Sequence, residues 1–120
     1  MDIDRLLDSL SRSKFRGSFH LNKKMIEYVN TKGIDKIKSD AYDFINKRLA
    51  PADILNDGKQ TPMRQVHPVF IAQHACGCCC RGCLEKIHHI TKGRELTQDE
   101  IDYIVKVLMN WINRQIHSKE

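Results

Sequence analysis

Residues 67–90 read HPVFIAQHACGCCCRGCLEKIHHI, and the rest of the chain is best understood as helix built around them. All five cysteines of the chain lie in it, between Cys76 and Cys83. Four of the six histidines (His67, His74, His88 and His89) surround them. Thiolate and imidazole are the side chains that zinc and iron sites prefer. An odd number of cysteines packed so closely suits a metal or a redox pair better than a disulfide framework.

Within the stretch, Cys80-Arg81-Gly82-Cys83 is a C-x-x-C pair. At a helix start its two sulfurs converge, and the helix N-terminus favours their thiolate form. A tetrahedral zinc needs four ligands. His74 precedes Cys80 across a bend that Gly77 permits, and His88 follows Cys83 near the end of the same helix. Cys79 shares a helix face with Cys83. The expected ligand set is therefore drawn from His74, Cys79, Cys80, Cys83 and His88, with His67 able to reach in from the preceding turn. Zinc ranks ahead of an iron–sulfur cluster, which would leave the histidines idle. A redox pair ranks lower still, because the thioredoxin-like strand–helix context is missing. The competing interpretation is a set of buried reduced thiols that merely fill the core.

The surroundings read as helix. Ile3, Leu6, Leu7 and Leu10 repeat at helical spacing and predict a helix over 3–11. In the segment SRSKFRGSFH (residues 11–20) the phenylalanines are expected in the core, with the lysine and arginines facing water. The alternative is a basic-aromatic platform that stacks bases. Asn22 is the N-cap of a helix from Lys23, stapled by Leu21 and Ile26 and ended by Gly33. A stripe of Ile34, Ile37, Ala41, Phe44, Ile45 and Leu49 predicts a helix over 34–49, stopped by Pro51. Residues 50–66 are an irregular loop. Its Lys59, Gln60, Thr61 and Arg64 could bond a phosphate, or the loop could wrap over the cysteine stretch. Pro68 suits the first position of a short helix, and another begins near Cys79 or Cys80. Thr97-Gln98-Asp99-Glu100 is a capping box that opens the last helix. Ile101, Ile104, Val105, Leu108, Ile112 and Ile116 line one face of that helix, widened by Val107 and Trp111. So broad a face suits two neighbours, or a second copy of the chain.

These elements make residues 1–120 one small all-α domain, with a Cys/His metal centre between short helices. A chain of 120 residues leaves much of its surface wet and gains from a cross-link or a metal. The N-terminus MDIDRLLDSLSR lacks the apolar run of a signal peptide, and Val69–Ala72 is too short to cross a bilayer. The expectation is a cytoplasmic chain without membrane contact. The net charge of +5 makes an acidic partner such as nucleic acid chemically reasonable. Arg81, Lys86, Lys92 and Arg94 stand beside the cysteines as candidate phosphate contacts.

Further motifs carry a family resemblance. GKQTP at 58–62, HPVFIAQHA at 67–75, CCRGCLEKIH at 79–88 and KGRELT at 92–97 resemble the bacterial and phage family called domain of unknown function 4186. So do the opening SKFR and the closing YIV-x-V-x-x-x-WI-x-RQ. The resemblance spans nearly the whole chain and matches His67, Gln73, His74, Cys79, Cys80, Arg81, Cys83 and His88. The family pattern has threonines where this chain has Cys76 and Cys78, and it departs again at Ile87, His89 and Thr91. The resemblance thus implies that Cys76, Cys78 and His89 are extras rather than ligands. It implies a persistent Cys/His centre and no particular reaction.

The function expected is a small zinc-binding interaction module that meets nucleic acid through its basic surface. One alternative is a hydrolase-like metalloenzyme with an open zinc position, in which Glu85 and His89 would act as bases. Another is an adaptor that binds a protein through the last helix. Deamination is disfavoured, because the glutamate of H-x-E and the proline before the cysteine pair are both absent.

Overall fold

A computed structural model of the chain describes residues 2–54 and 57–117. The least polar segment sits at its centre. The helix α4, Pro68–Cys76, is buried at every one of its residues. Apolar side chains on every face of a helix call for enclosure, and five other elements enclose this one, its polar Gln73 and His74 included. They are α1 (Ile3–Ser11), a 3-10 turn at Arg16–Ser18, α2 (Lys23–Lys32), α3 (Ile34–Arg48) and α6 (Gln98–His117). The remaining helix, α5 (Arg81–His88), carries the C-x-x-C pair. Among the described residues there is no strand, and no helix is long and apolar enough to cross a membrane.

The local rules explain where the helices begin and end. Asp2 and Asn22 accept from the third residue of α1 and α2, Arg5 and Met25. The α6 capping box is reciprocal. The Glu100 amide donates to Thr97 Oγ1 at 3.1 Å, and the Thr97 amide donates to Glu100 Oε1 at 2.9 Å. Arg94 grips the same carboxylate with both terminal nitrogens, at 2.8 and 2.7 Å. Its guanidinium, first of several influences, pulls the Glu100 carboxyl down to about 2. The broad face of α6 does serve two neighbours: Ile101, Ile104, Val105, Val107, Leu108, Trp111 and Ile112 are buried, chiefly against α4 and α3.

Two expectations need correction. Ile34 was placed on the apolar stripe of α3 but is exposed, because it stands at the first position of the helix, off the end of the packed face. In the segment 11–20, Phe15 is half exposed, Phe19 packs partly into the core, and Arg16 turns inward rather than toward water. Gly17 makes that reversal feasible, since a Cβ there would run into the Ser11 carbonyl as the chain doubles back on α1.

Gly77 is the other glycine that the fold requires. It ends α4 with a φ of 71°, and Ile87 of α5 occupies the space that a Cβ would need. Gly77→Ala should therefore combine left-handed strain with overpacking, about 2–4 kcal/mol together. Urea unfolding should show a lower midpoint for Gly77→Ala. The loss should shrink in an Ile87→Ala background, and simple additivity of the two changes would show that the contact does not matter.

Candidate metal centre

The cysteines divide into two groups. Cys76 and Cys78 are fully buried within the hydrophobic core. Burial pushes the Cys76 and Cys78 thiols up, far from ionisation. Cys79, Cys80 and Cys83 instead converge, with their sulfurs all within 4.8 Å of one another. Four sulfurs around a zinc ion at about 2.3 Å stand about 3.8 Å apart, so these three need only a small contraction to share an ion. Three close cysteines could hold a metal ion here.

Backbone geometry produces the convergence. Cys80 is the N-cap of α5, in extended conformation, and its sulfur accepts the Cys83 amide at 3.3 Å. That is the ordinary capping bond with sulfur in place of oxygen. It folds Cys80 over the first turn and brings its sulfur toward Cys83. The two amides before it, the first of α5, are also satisfied. Arg81 N donates to Asp57 Oδ1 at 3.0 Å, and Gly82 N donates to Asp57 Oδ2 at 3.3 Å. The loop thus wraps over the centre, which was one of the two roles expected for it. Thr61 reinforces this arrangement: its hydroxyl donates to the Cys79 carbonyl at 2.8 Å, and its carbonyl meets His74 Nε2 at 2.9 Å.

A cation closes the other side. Arg16 Nη1 donates to the His74 carbonyl at 2.7 Å and to Cys79 Sγ at 3.5 Å, and Nη2 donates to Cys83 Sγ at 3.2 Å. Burial works against the guanidinium charge, yet its two sulfur partners more than offset this and hold its pKa above the ordinary value. Burial pushes the Cys80 thiol up, and the Cys79 and Cys83 sulfurs add to the effect. Three thiolates this close repel one another, and a bound cation reverses that balance.

The histidines have separate positions. His74 is buried, stacks on Phe19 with ring centroids 5.3 Å apart, and spends Nε2 on Thr61. His88 is buried with both nitrogens engaged. Nδ1 meets the Tyr103 hydroxyl at 2.9 Å, and Nε2 meets the Cys76 carbonyl at 2.8 Å, with Cys78 Sγ at 3.4 Å. Neither histidine lies within the three-sulfur group. His67 is the N-cap of α4. Its Nδ1 accepts the Val69 amide at 3.0 Å, which leaves Nε2–H to donate to Asp40 at 3.0 Å. His89 is exposed, in left-handed conformation, at the end of α5.

The basic residues beside the centre also differ in fate. Arg81, expected to meet phosphate at the surface, is only 3% exposed. It donates to the carbonyls of Leu49, Pro51 and Thr91 at 3.0–3.2 Å, fastening α5 to two loops. Arg94 is bound to Glu100, whereas Lys86 and Lys92 are exposed. Sequence reasoning missed Arg16 and Asp57, whose contacts span 24 to 67 positions along the chain. The only available signal was the recurrence of SKFR and of the loop beside the cysteines in one family pattern.

Burial lowers the pKa of both His67 and His88. Each is therefore protonated more readily in the unfolded chain, so stability is full above the ordinary histidine value of about 6.5 and falls as pH drops through it. Chemical denaturation with a chelator present should show less stability at pH 5.5 than at pH 7.5. His67→Asn should flatten the slope, and an unchanged slope would exclude His67 as a contributor.

The sequence profile of the family described as Domain of unknown function (DUF4186) matches residues 4–113, nearly the whole chain. No solved structure matches the chain.

Proposed function

The chain belongs to that family, and for this member we propose a small zinc-binding interaction module in which Cys79, Cys80 and Cys83 are three ligands of one ion. The observation that carries this reading is the meeting of the three sulfurs at the first turn of α5, on the side that Arg16 faces. Thiolate ligands and this spacing suit zinc, whose coordination follows ligand type with no geometric preference of its own.

His74 is our choice for the fourth ligand. A hydrogen donated from Nε2 to the Thr61 carbonyl leaves Nδ1 with its lone pair, and that outward bond is how metal-binding imidazoles are commonly oriented. A modest ring movement must accompany loading, because His74 lies outside the three-sulfur group. His88 is dropped from the set, since its two nitrogens serve Tyr103 and the Cys76 carbonyl.

In this reading the ion is structural. Among the described residues α5 has no extensive helix–helix packing, so a cross-link at its start contributes directly to folding. A hydrolytic centre draws less support, because the Glu85 carboxylate is turned to the Lys92 amide at 3.2 Å. A nucleic-acid contact would now rest on Lys86 and Lys92, with Arg81 buried and Arg94 paired. The metal reading does not depend on it.

Elemental analysis of the untagged full chain tests the proposal. About one zinc per chain is expected. Cys79→Ser, Cys80→Ser and Cys83→Ser should each lose it and melt at lower temperature, whereas Cys76→Ala and Cys78→Ala should keep it. Absence of metal from the wild type, or equal loss from all five variants, would overturn the reading.

A further inference from the structure

The cysteine ligands account for only part of the charge at this centre. Three thiolates and one divalent ion leave a net charge of about −1. A residual anion at a largely buried position is costly unless a cation compensates it. Arg16 is such a cation, contributed from another part of the chain. Its guanidinium spans the edge between Cys79 and Cys83, with one terminal nitrogen on each sulfur at 3.5 and 3.2 Å. Planar, two-pronged donation of this kind is what arginine does and lysine cannot.

The guanidinium is also held in place. Its Nη1 is anchored to the His74 carbonyl at 2.7 Å, and the Phe15 ring lies against it at 4.9 Å. The Arg16 amide in turn donates to the Ser13 hydroxyl oxygen at 3.2 Å, and Gly17 allows the tight reversal that follows. None of these features is required if Arg16 is an ordinary surface cation.

We propose that Arg16 is the counter-charge of the metal centre, a positioning residue that offsets the third thiolate and tunes the site to a divalent ion. This rests on the zinc reading above. Zinc at +2, three thiolates at −3 and one guanidinium at +1 sum to zero. A monovalent soft ion such as copper(I) would leave the same set at −1. Hydrogen bonds to the sulfurs also draw electron density from them, so Arg16 should leave a mark on the metal–sulfur electronic spectrum.

The experiment uses the full chain, loaded with zinc and separately with cobalt(II). The wild type comes first: if it retains neither ion, the zinc reading itself fails, and that outcome is recognisable before any variant is made. Given a loaded wild type, Arg16→Gln should hold zinc about 10–100-fold more weakly in competition with a chromophoric chelator. Its sulfur-to-cobalt charge-transfer band should move to lower energy as the sulfurs regain electron density. Arg16→Lys should be intermediate, and Lys14→Gln, on an exposed neighbour, should match the wild type.

A merely structural Arg16 would lower the melting temperature and leave the chelator competition and the cobalt band in place. That result overturns the proposal. Should Arg16→Gln fail to fold, Arg16→Met decides: it keeps much of the side-chain bulk but has neither the charge nor a donor, so an unmoved band and unchanged affinity there would equally overturn the proposal.

Discussion

Three sulfurs within 4.8 Å of one another cannot all carry negative charge unless cations stand beside them. That constraint shapes the middle of this protein. A neutral thiol is a weak acceptor, both for the Arg16 guanidinium at Cys79 and Cys83 and for the Cys83 amide at Cys80. In the proposed metal-bound form, the Arg16 fork would stand on one side of the three sulfurs, and a metal ion could sit among them. The α5 N-terminus adds a weaker favourable field, shared with the carboxylate of Asp57.

The scaffold is arranged to keep that small region in register. The helix α4 is buried along its whole length, so its end at Cys76 is fixed by packing on five elements. Gly77 then turns the chain, and the next six residues deliver Cys79, Cys80 and Cys83. The helix α5 puts Leu84 into the core and sets Ile87 against Gly77, and polar bonds hold the rest of it. Arg81 gathers three backbone carbonyls, Asp57 caps two amides, and Thr61 ties Cys79 to the loop. Buried polar groups need such partners, because an unmade bond costs about 1–3 kcal/mol. The loop at 57–61 is therefore part of the centre and not a spacer between helices.

Arginine appears here in three settings that its sequence context hardly distinguishes. Arg94 locks a capping box at the surface, Arg81 is a buried fastener for carbonyls, and Arg16 faces sulfur. The role of Arg81 is one that lysine cannot fill, since no lysine could reach three carbonyls with a planar fork.

The linear chain sets the helices and their caps, because hydrophobic period, N-cap chemistry and glycine stops act over a few residues. The ends of α1, α2 and α6 follow from Asp2, Asn22, Gly33 and Thr97, and the family membership is likewise written in the linear motifs. It also gathered the thiols into one short window. Long-range packing settled which thiols meet, since Cys76 and Cys79 differ by which way a turn at Gly77 points them. It alone brought Arg16 to Cys83, 67 positions apart, and sent Arg81 inward. Spacing along the chain encodes local geometry, whereas the partner of a buried charge is set by whichever distant segment the packing of the core brings alongside it.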